Sequence, residues 1–357
     1  MSRNTFARID VAALGRNLAR VKRLAPRSRL MAVVKADAYG HRLELCIPAL
    51  DSADLLAVAT LDEARSIRVL NNRLPILLLE GVSRPEALEE LRQLNLELVV
   101  HHPSQLEMLE DRRAWAGSRI WLKLDSGMHR LGFPVDQAGE LRRRLLDLPG
   151  IAEVVLMSHF ACADEPGHAL NARQLQRFDA AAAGLDSPHS LSNSAAILNL
   201  EASHRDWVRP GLLLYGISPL AGGNGRELDL DPVMHLQTEL IAVNALPASE
   251  SVGYGARFTA AENMRIGVAA IGYGDGYPRN MPDGAPVLVN GRRQRLVGAV
   301  SMDMVTVDLS DQPEARVGDP VTLWGPGLPV EEVARAAGTI PYELVCRVTR
   351  RVRFEVQ

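Results

Sequence analysis

Apolar residues along the chain gather in short runs, and between the runs they recur every three to four positions. Runs at 29–34, 55–59, 75–79, 97–100, 118–124, 152–158, 189–192 and 206–208 have the β-former content of buried strands. The segments 42–50, 62–70, 85–94, 103–110, 136–148, 172–185 and 194–200 have amphipathic helical spacing. Asp62 and Ser104 stand where helix N-caps belong. Strands alternating with helices eight times over the first two-thirds of the chain predict a (β/α)8 TIM barrel. A doubly wound open sheet would need about 5 to 7 strands, and no G-x-G-x-x-G follows the first one. A further segment, 4–10, also reads as a strand, with helical recurrence after it at Val11, Leu14, Leu18, Val21 and Leu24. It is one strand too many for the barrel, so we expect it to pair with the C-terminal part of the chain.

Near Leu230 the texture changes. Helical spacing fades, and β-rich runs follow at 236–245, 264–273, 286–289, 294–300, 305–309, 320–324 and 348–356, with a single helix expected at 330–337. Asn290-Gly291 marks a hairpin turn. We therefore expect a barrel domain over 1–230 and a mostly β C-terminal domain over 231–357, joined near 221–231.

The totals narrow the function classes. A chain of 357 residues can bury two cores. Net charge is −3 with no basic stripe, which argues against a nucleic-acid partner. No apolar run approaches the length of a membrane span. The first residues lack an export signature, and Cys46, Cys162 and Cys346 are too scattered for a disulfide framework or a metal site, so a cytoplasmic location is expected.

In such a barrel the active site lies at the C-terminal ends of the strands. Lys35, Arg130, His159, Asn193 with Ser194, and Arg209 all fall at that end. A lysine closing a buried strand is costly to desolvate, and an apolar surround favours the neutral, nucleophilic amine that Schiff-base chemistry needs. The bland alternative is a lysine that reaches out to the rim. Ser194 before a helix, with Gly211 and Leu212 after the eighth strand, reads as a phosphate cup, the alternative being an ordinary capping serine. For Arg209 the alternative is a buried salt bridge, for His159 a satisfied core histidine, and for Tyr254 a surface tyrosine on a hairpin.

The stretches Val34-Lys35-Ala36-Asp37-Ala38-Tyr39-Gly40-His41, Ser192-Asn193-Ser194, Val208-Arg209-Pro210-Gly211, Val252-Gly253-Tyr254-Gly255, Gly272-Tyr273-Gly274-Asp275, Ser301-Met302-Asp303-Met304 and Pro341-Tyr342 together resemble bacterial alanine racemases. These are fold-type III pyridoxal-phosphate enzymes, and the resemblance covers nearly the whole chain. It implies an isomerase interconverting L-alanine and D-alanine, with pyridoxal 5'-phosphate on Lys35. Ser194, Gly211, Leu212 and Tyr342 match cofactor-phosphate positions. Tyr39 matches a residue hydrogen-bonded near that phosphate, and Asn193 lies beside it. Arg209 would face the pyridine nitrogen, with His159 in support. A guanidinium cannot give that nitrogen a proton, which favours proton exchange at the α-carbon over transamination. Lys35 and Tyr254 would be the two bases. A free phenol titrates near about 10, so Tyr254 needs positive charge nearby to act as one. Arg130 would bind the substrate carboxylate, and Met302 and Asp303 would come from a partner chain. Tyr273 and Tyr342 would line an access channel. Lys123 matches a lysine that is carbamylated in some relatives. The resemblance also implies a homodimer with shared active sites.

Two positions depart from the family pattern: Arg42 and His129 stand where relatives often carry glycine. The rival readings are a two-domain decarboxylase of the same fold, a racemase of another small amino acid such as serine, a lone-barrel cofactor-binding protein, and a cofactor-free aldolase barrel. A decarboxylase would use an acidic residue at Arg209 and a cysteine near Tyr254. The lone barrel would lack the β domain, and the aldolase would have no use for Tyr254 there. Length and loop pattern look closer to the catabolic isozyme.

Overall fold

The structure, a computed structural model, describes residues 3–70, 73–112 and 119–357. Strand β1 (Phe6–Ile9) is followed by the helix Val11–Leu24 and then by β2 (Arg29–Val33), β3 (Leu55–Val58), β4 (Ile76–Leu78), β5 (Leu96–Val100) and β6 (Arg119–Asp125). A two-residue strand β7 (Phe133–Pro134) pairs with β6, and β8 (Glu153–Met157), β9 (His189–Asn193) and β10 (Trp207–Arg209) complete the set. The parallel order β5-β4-β3-β2-β10-β9-β8-β6 closes through β5–β6, which makes an eight-stranded TIM barrel. Its strands are buried on both faces, as their unbroken apolar runs require: Leu55–Val58 and Ile76–Leu78 are buried at every position. Ser118, where the fifth barrel strand was expected to begin, lies outside the described residues.

The second part is mostly β. Strand β11 (Met234–Leu246) is its spine, pairing with β1, β14 (Met264–Ala269) and β18 (Pro320–Trp324). β15 (Pro286–Val289), β16 (Arg292–Arg295), β17 (Val305–Asp308) and β19 (Arg353–Val356) fill out the sheet. A small hairpin, β12 (Ser251–Val252) with β13 (Phe258–Thr259), stands apart. β1 lies in this sheet, antiparallel to β11 and parallel to β19, and takes no place in the barrel. Between β15 and β16, Asn290 and Gly291 both adopt positive φ, the geometry of a two-residue hairpin turn.

Several expectations need correction. Helix 62–70 is capped by Thr60, not Asp62: Thr60 Oγ1 accepts from Glu63 N while Glu63 reaches back to Thr60 N. Ser104 sits inside the first turn of Pro103–Arg112. The helix expected at 42–50 is broken into Leu43–Cys46 and a 3-10 turn, Ile47–Leu50. Strand 294–300 ends at Arg295, and the C-terminal strand begins only at Arg353. A second helix, Pro341–Arg347, follows Val330–Ala336, with its proline in the first turn, where no N–H is needed. No helix among the described residues is long and apolar enough to cross a membrane.

Candidate functional site

A cavity of about 930 Å³ opens at the C-terminal mouth of the barrel, large for a small-molecule site (~300–1,000 Å³). Lys35, Tyr39, Lys123, Arg130, His159, Asn193, Ser194, Arg209, Gly211, Leu212 and Tyr342 all line it. Every one was singled out from sequence alone. Tyr254, Tyr273, Met302 and Asp303 do not line it. Tyr254 projects from the tip of the β12–β13 hairpin, 73% exposed, between Gly253 and Gly255, both at positive φ. Tyr273 and Met302 are also exposed, and Asp303 forms an ion pair with Arg351. Among the described residues, no group of His, Cys, Asp and Glu side chains could hold a metal ion.

Lys35 leaves the barrel at the end of β2, and an unusual turn follows. Ala36, Asp37, Ala38 and Tyr39 all have φ of 53–55°, a turn of left-handed helix built from non-glycine residues. Each such residue costs about 1–2 kcal/mol, so surrounding contacts must enforce the shape. Ala36 N donates to Glu63 Oε1 at 2.6 Å. His41 Nδ1 lies 3.1 Å from Ala38 O and 2.9 Å from Tyr39 O and donates to both carbonyls. Burial drops the His41 pKa to about 4, so the ring is neutral. Gly40 rests so close to the helix Pro341–Arg347 that an added Cβ would lie 2.1 Å from Val345 O. Sequence reasoning missed Glu63, although the T-x-x-E pattern Thr60–Glu63 was there to be read as a capping box.

Arg209 is buried and donates to Ser190 Oγ (2.9 Å), Ser158 O (2.8 Å), Leu191 O (3.0 Å) and His159 Nδ1 (3.0 Å). Its Nε has no protein acceptor among the described residues. Among the described residues Arg209 forms no salt bridge, so that alternative for Arg209 fails. Burial lowers its pKa to about 9, which leaves it charged at neutral pH. Because a guanidinium only donates, His159 Nδ1 must carry the lone pair and Nε2 the hydrogen. Desolvation, then the charge of Arg209, holds the His159 pKa well below its usual value.

The residues expected to form a phosphate cup lie together at the ends of β9 and β10. Asn193, not Ser194, caps the helix Ser194–Asn199, accepting from Ala196 N at 3.0 Å. Ser194 Oγ instead accepts from Gly211 N at 2.8 Å. Gly211 is required by contact: an added Cβ would lie 2.5 Å from Tyr39 Oη. The Tyr39 ring stacks on Tyr215 and lies 5.9 Å from Tyr342. Burial raises the pKa of both cavity phenols, that of Tyr342 to about 12.

On the other side of the cavity, the Arg130 loop is tied by one carboxylate. Asp125 accepts from Gly127 N, Met128 N and His129 N, and its second oxygen lies 2.9 Å from His129 Nδ1. His129 takes φ 55°, and the Asp125 contacts hold this glycine-like geometry. Desolvation, then Arg209, Arg130 and Lys35, lowers the Lys123 pKa to about 8.

Residues 9–219 match the family described as alanine racemase, N-terminal domain, and residues 233–356 match alanine racemase, C-terminal domain. The chain is 54% identical to an alanine racemase of Nitrosococcus oceani, over 96% of this chain and 97% of the relative. It is 52% identical to one of Nitrosospira multiformis, over 99% of each. Among solved structures it is similar to a biosynthetic alanine racemase of Pseudomonas aeruginosa (49% identity, 99% of each chain, TM-score 0.96). It is also similar to an alanine racemase of Bartonella henselae with covalently bound pyridoxal phosphate (27% identity, 100% of each chain, TM-score 0.90).

Proposed function

The chain belongs to the alanine racemase family and is an alanine racemase, an isomerase acting on amino acids; we propose that it interconverts L-alanine and D-alanine with pyridoxal 5'-phosphate, using two bases on opposite faces of the α-carbon. The observation that carries this reading is the gathering of Lys35, Arg130, Arg209 and the Ser194–Gly211 cup around one cavity.

The residues present fit the cofactor. The unpartnered Nε–H of Arg209 and the cup at Ser194 and Gly211, closed by Tyr39, match a molecule with an acceptor nitrogen at one end and a phosphate at the other. Lys35 would anchor it. Ser194, Gly211, Leu212, Asn193, Tyr39 and Tyr342 would hold its phosphate, and Arg209, oriented by His159, its ring nitrogen. When bound, the cofactor supplies a conjugated electron-withdrawing ring that acidifies the α-hydrogen of the amino acid.

The chain's own groups divide the rest. Lys35 takes or returns a proton at Nζ on one face of the α-carbon. Tyr254 of the partner subunit does so at its phenol oxygen on the other, in a homodimer whose two sites are each shared. Arg130 binds the substrate carboxylate by charge-assisted hydrogen bonds. Met302 and Asp303 of the partner subunit complete the substrate side, and Tyr273 and Tyr342 line the access channel. Carbamylation of Lys123 would turn a cation beside Arg130 into an anion able to hold its guanidinium. The charged Arg209, which can only donate, favours racemisation over decarboxylation, which an acidic residue there would support. The likeness to a catabolic isozyme has no counterpart in the relatives named above.

The test is incubation of the cofactor-loaded enzyme with L-alanine in deuterated water, followed by chiral analysis. The reading requires racemic alanine with deuterium at the α-carbon. Recovery of unlabelled L-alanine, or release of carbon dioxide as the main reaction, would refute it.

A further inference from the structure

We propose that Arg42 is a positioning residue for the reactive lysine: it bridges the left-handed turn after Lys35 to the C-terminal β sheet and so holds that turn in shape. The inference rests on Lys35 being the reactive amine.

Arg42 itself has φ 71° and ψ 115°, a backbone geometry that glycine adopts freely and arginine does not. A residue held there must be fixed by its side chain or its neighbours. The Arg42 guanidinium is fixed on two sides. Its Nη1 pairs with Asp37 Oδ2 at 2.8 Å, and its plane lies over the Phe354 ring, 4.0 Å from the centroid. Asp37 is one of the left-handed residues, and its other oxygen accepts from Leu43 N at 2.8 Å. Its backbone carbonyl accepts from Arg42 N at 3.0 Å. Asp37 therefore closes the turn onto 42–43, and Arg42 carries that closure across to Phe354.

Phe354 belongs to β19, where it pairs in register with Ala7 of β1. Arg42 thus fastens the Lys35 turn to the sheet that β1, β11 and β19 build. Glu63 grips the near end of the turn and Val345 presses on Gly40 in the middle, so Arg42 supplies the hold at the far end. With that hold gone, the strained residues can relax toward ordinary backbone, and Lys35 moves with them. Misplacing a reacting group by about an ångström can cost on the order of a hundredfold in rate.

The experiment compares Arg42→Ala, Arg42→Lys, Arg42→Gly and Phe354→Leu by steady-state kinetics and by amide hydrogen exchange of the enzyme without cofactor. Arg42→Ala is expected to lower kcat about tenfold with KM within about twofold, and to speed exchange of the peptide covering 36–43 about tenfold while barrel strands keep wild-type rates. Arg42→Lys keeps the Asp37 pair and recovers most of kcat. Phe354→Leu acts in the same direction, and its effect on kcat is less than additive with Arg42→Ala. Arg42→Gly relieves the backbone but removes the bridge, so exchange at 36–43 rises there too. Wild-type exchange at 36–43 in Arg42→Ala, or equal acceleration throughout the barrel, overturns the proposal. So does full additivity of Arg42→Ala with Phe354→Leu. Failure of Lys35 as the reactive amine would show separately, as retained activity in Lys35→Ala.

Discussion

Gly211→Ala tests the phosphate cup with a single methyl group. The new Cβ would sit 2.5 Å from Tyr39 Oη and 3.0 Å from its Cζ. Ordinary contact needs several tenths of an ångström more at each atom, so the tyrosine must move. It cannot swing away freely, because its ring is buried and stacked on Tyr215 at a centroid distance of 5.0 Å. Overpacking of this kind costs about 1–3 kcal/mol. If Tyr39 then cannot make the hydrogen bond proposed for it to the cofactor phosphate, a further ~1.5–3 kcal/mol of binding goes with it. The dissociation constant for pyridoxal phosphate should rise between about tenfold and about a hundredfold. Titrating the cofactor-free protein with pyridoxal phosphate, followed by protein fluorescence, measures this directly, and urea unfolding of the same sample measures the strain. Gly15→Ala, in the helix Val11–Leu24 where an added Cβ meets nothing within 4 Å, is the control. Binding within about twofold of wild type in a stably folded Gly211→Ala protein would mean that Tyr39 and Gly211 do not form a phosphate site.

The remaining expectations are shorter. Lys35→Ala should abolish racemisation together with the borohydride-reducible link to pyridoxal phosphate, and a surviving link to another lysine with normal turnover would remove Lys35 from its role. Mixing inactive Lys35→Ala and Tyr254→Phe under confirmed subunit exchange should restore about a quarter of wild-type activity, since about half the dimers are mixed and each has one intact site. Lys123 should titrate near 8 instead of at its ordinary 10.5, so carbamate formed from labelled carbon dioxide at fixed dissolved concentration should grow as pH rises through that lower value. Because folding depresses this pKa, the unfolded chain holds the extra proton between about 8 and 10.5, and the Lys123 contribution to stability rises with pH across that window. Carbamate that forms only above pH 10 would contradict the burial argument.

What sequence disclosed, and what it did not, follows from the range of the interactions involved. The barrel was legible because a strand buried on both faces must be apolar throughout, as β3, β4 and β2 after its exposed first residue, Arg29, are. The cavity residues were legible because polar side chains at strand ends are costly unless used. The left-handed turn at Ala36–Tyr39 was not legible: nothing in Ala-Asp-Ala-Tyr prefers that geometry, and its contacts come from Glu63, far in sequence, and from Arg42 and Leu43 onto Asp37. The helix Pro341–Arg347 is short, with too few turns to display a periodic apolar face, and its proline stands in the first turn, where it begins a helix. Asp62 was taken for a cap because it is the more acidic-looking start, while the reciprocal bonds of Thr60 and Glu63 decide the matter.

The chemistry also bears on where the second base comes from. Within one chain, the cavity lining holds two phenols, one imidazole, two lysines and the carboxylates of Glu80, Asp164 and Glu331 as proton carriers; Glu331 already accepts from Ser218 N and Gly225 N. Burial raises Tyr39 and Tyr342, which makes both poorer bases than a free tyrosine. His159 has its Nδ1 lone pair taken up by Arg209 and its pKa driven far down, so it does not accept a proton readily. In the proposed mechanism Lys35 serves one face. Lys123, brought to about 8, is a rival within the chain, and it lies close to Arg130 and Arg209. Tyr254 does not line the barrel-mouth cavity of its own chain; it stands exposed on a hairpin between two glycines at positive φ, and Met302, Met304 and Tyr273 are exposed apolar side chains of the same β domain. Exposed aromatic and methionine side chains of this kind suit a partner surface better than water. The complementation experiment separates the two candidates. If Lys123 were the second base, each site would be complete within one chain and Tyr254→Phe would stay active alone. If Tyr254 serves across the dimer, both single variants are dead and only the mixture recovers.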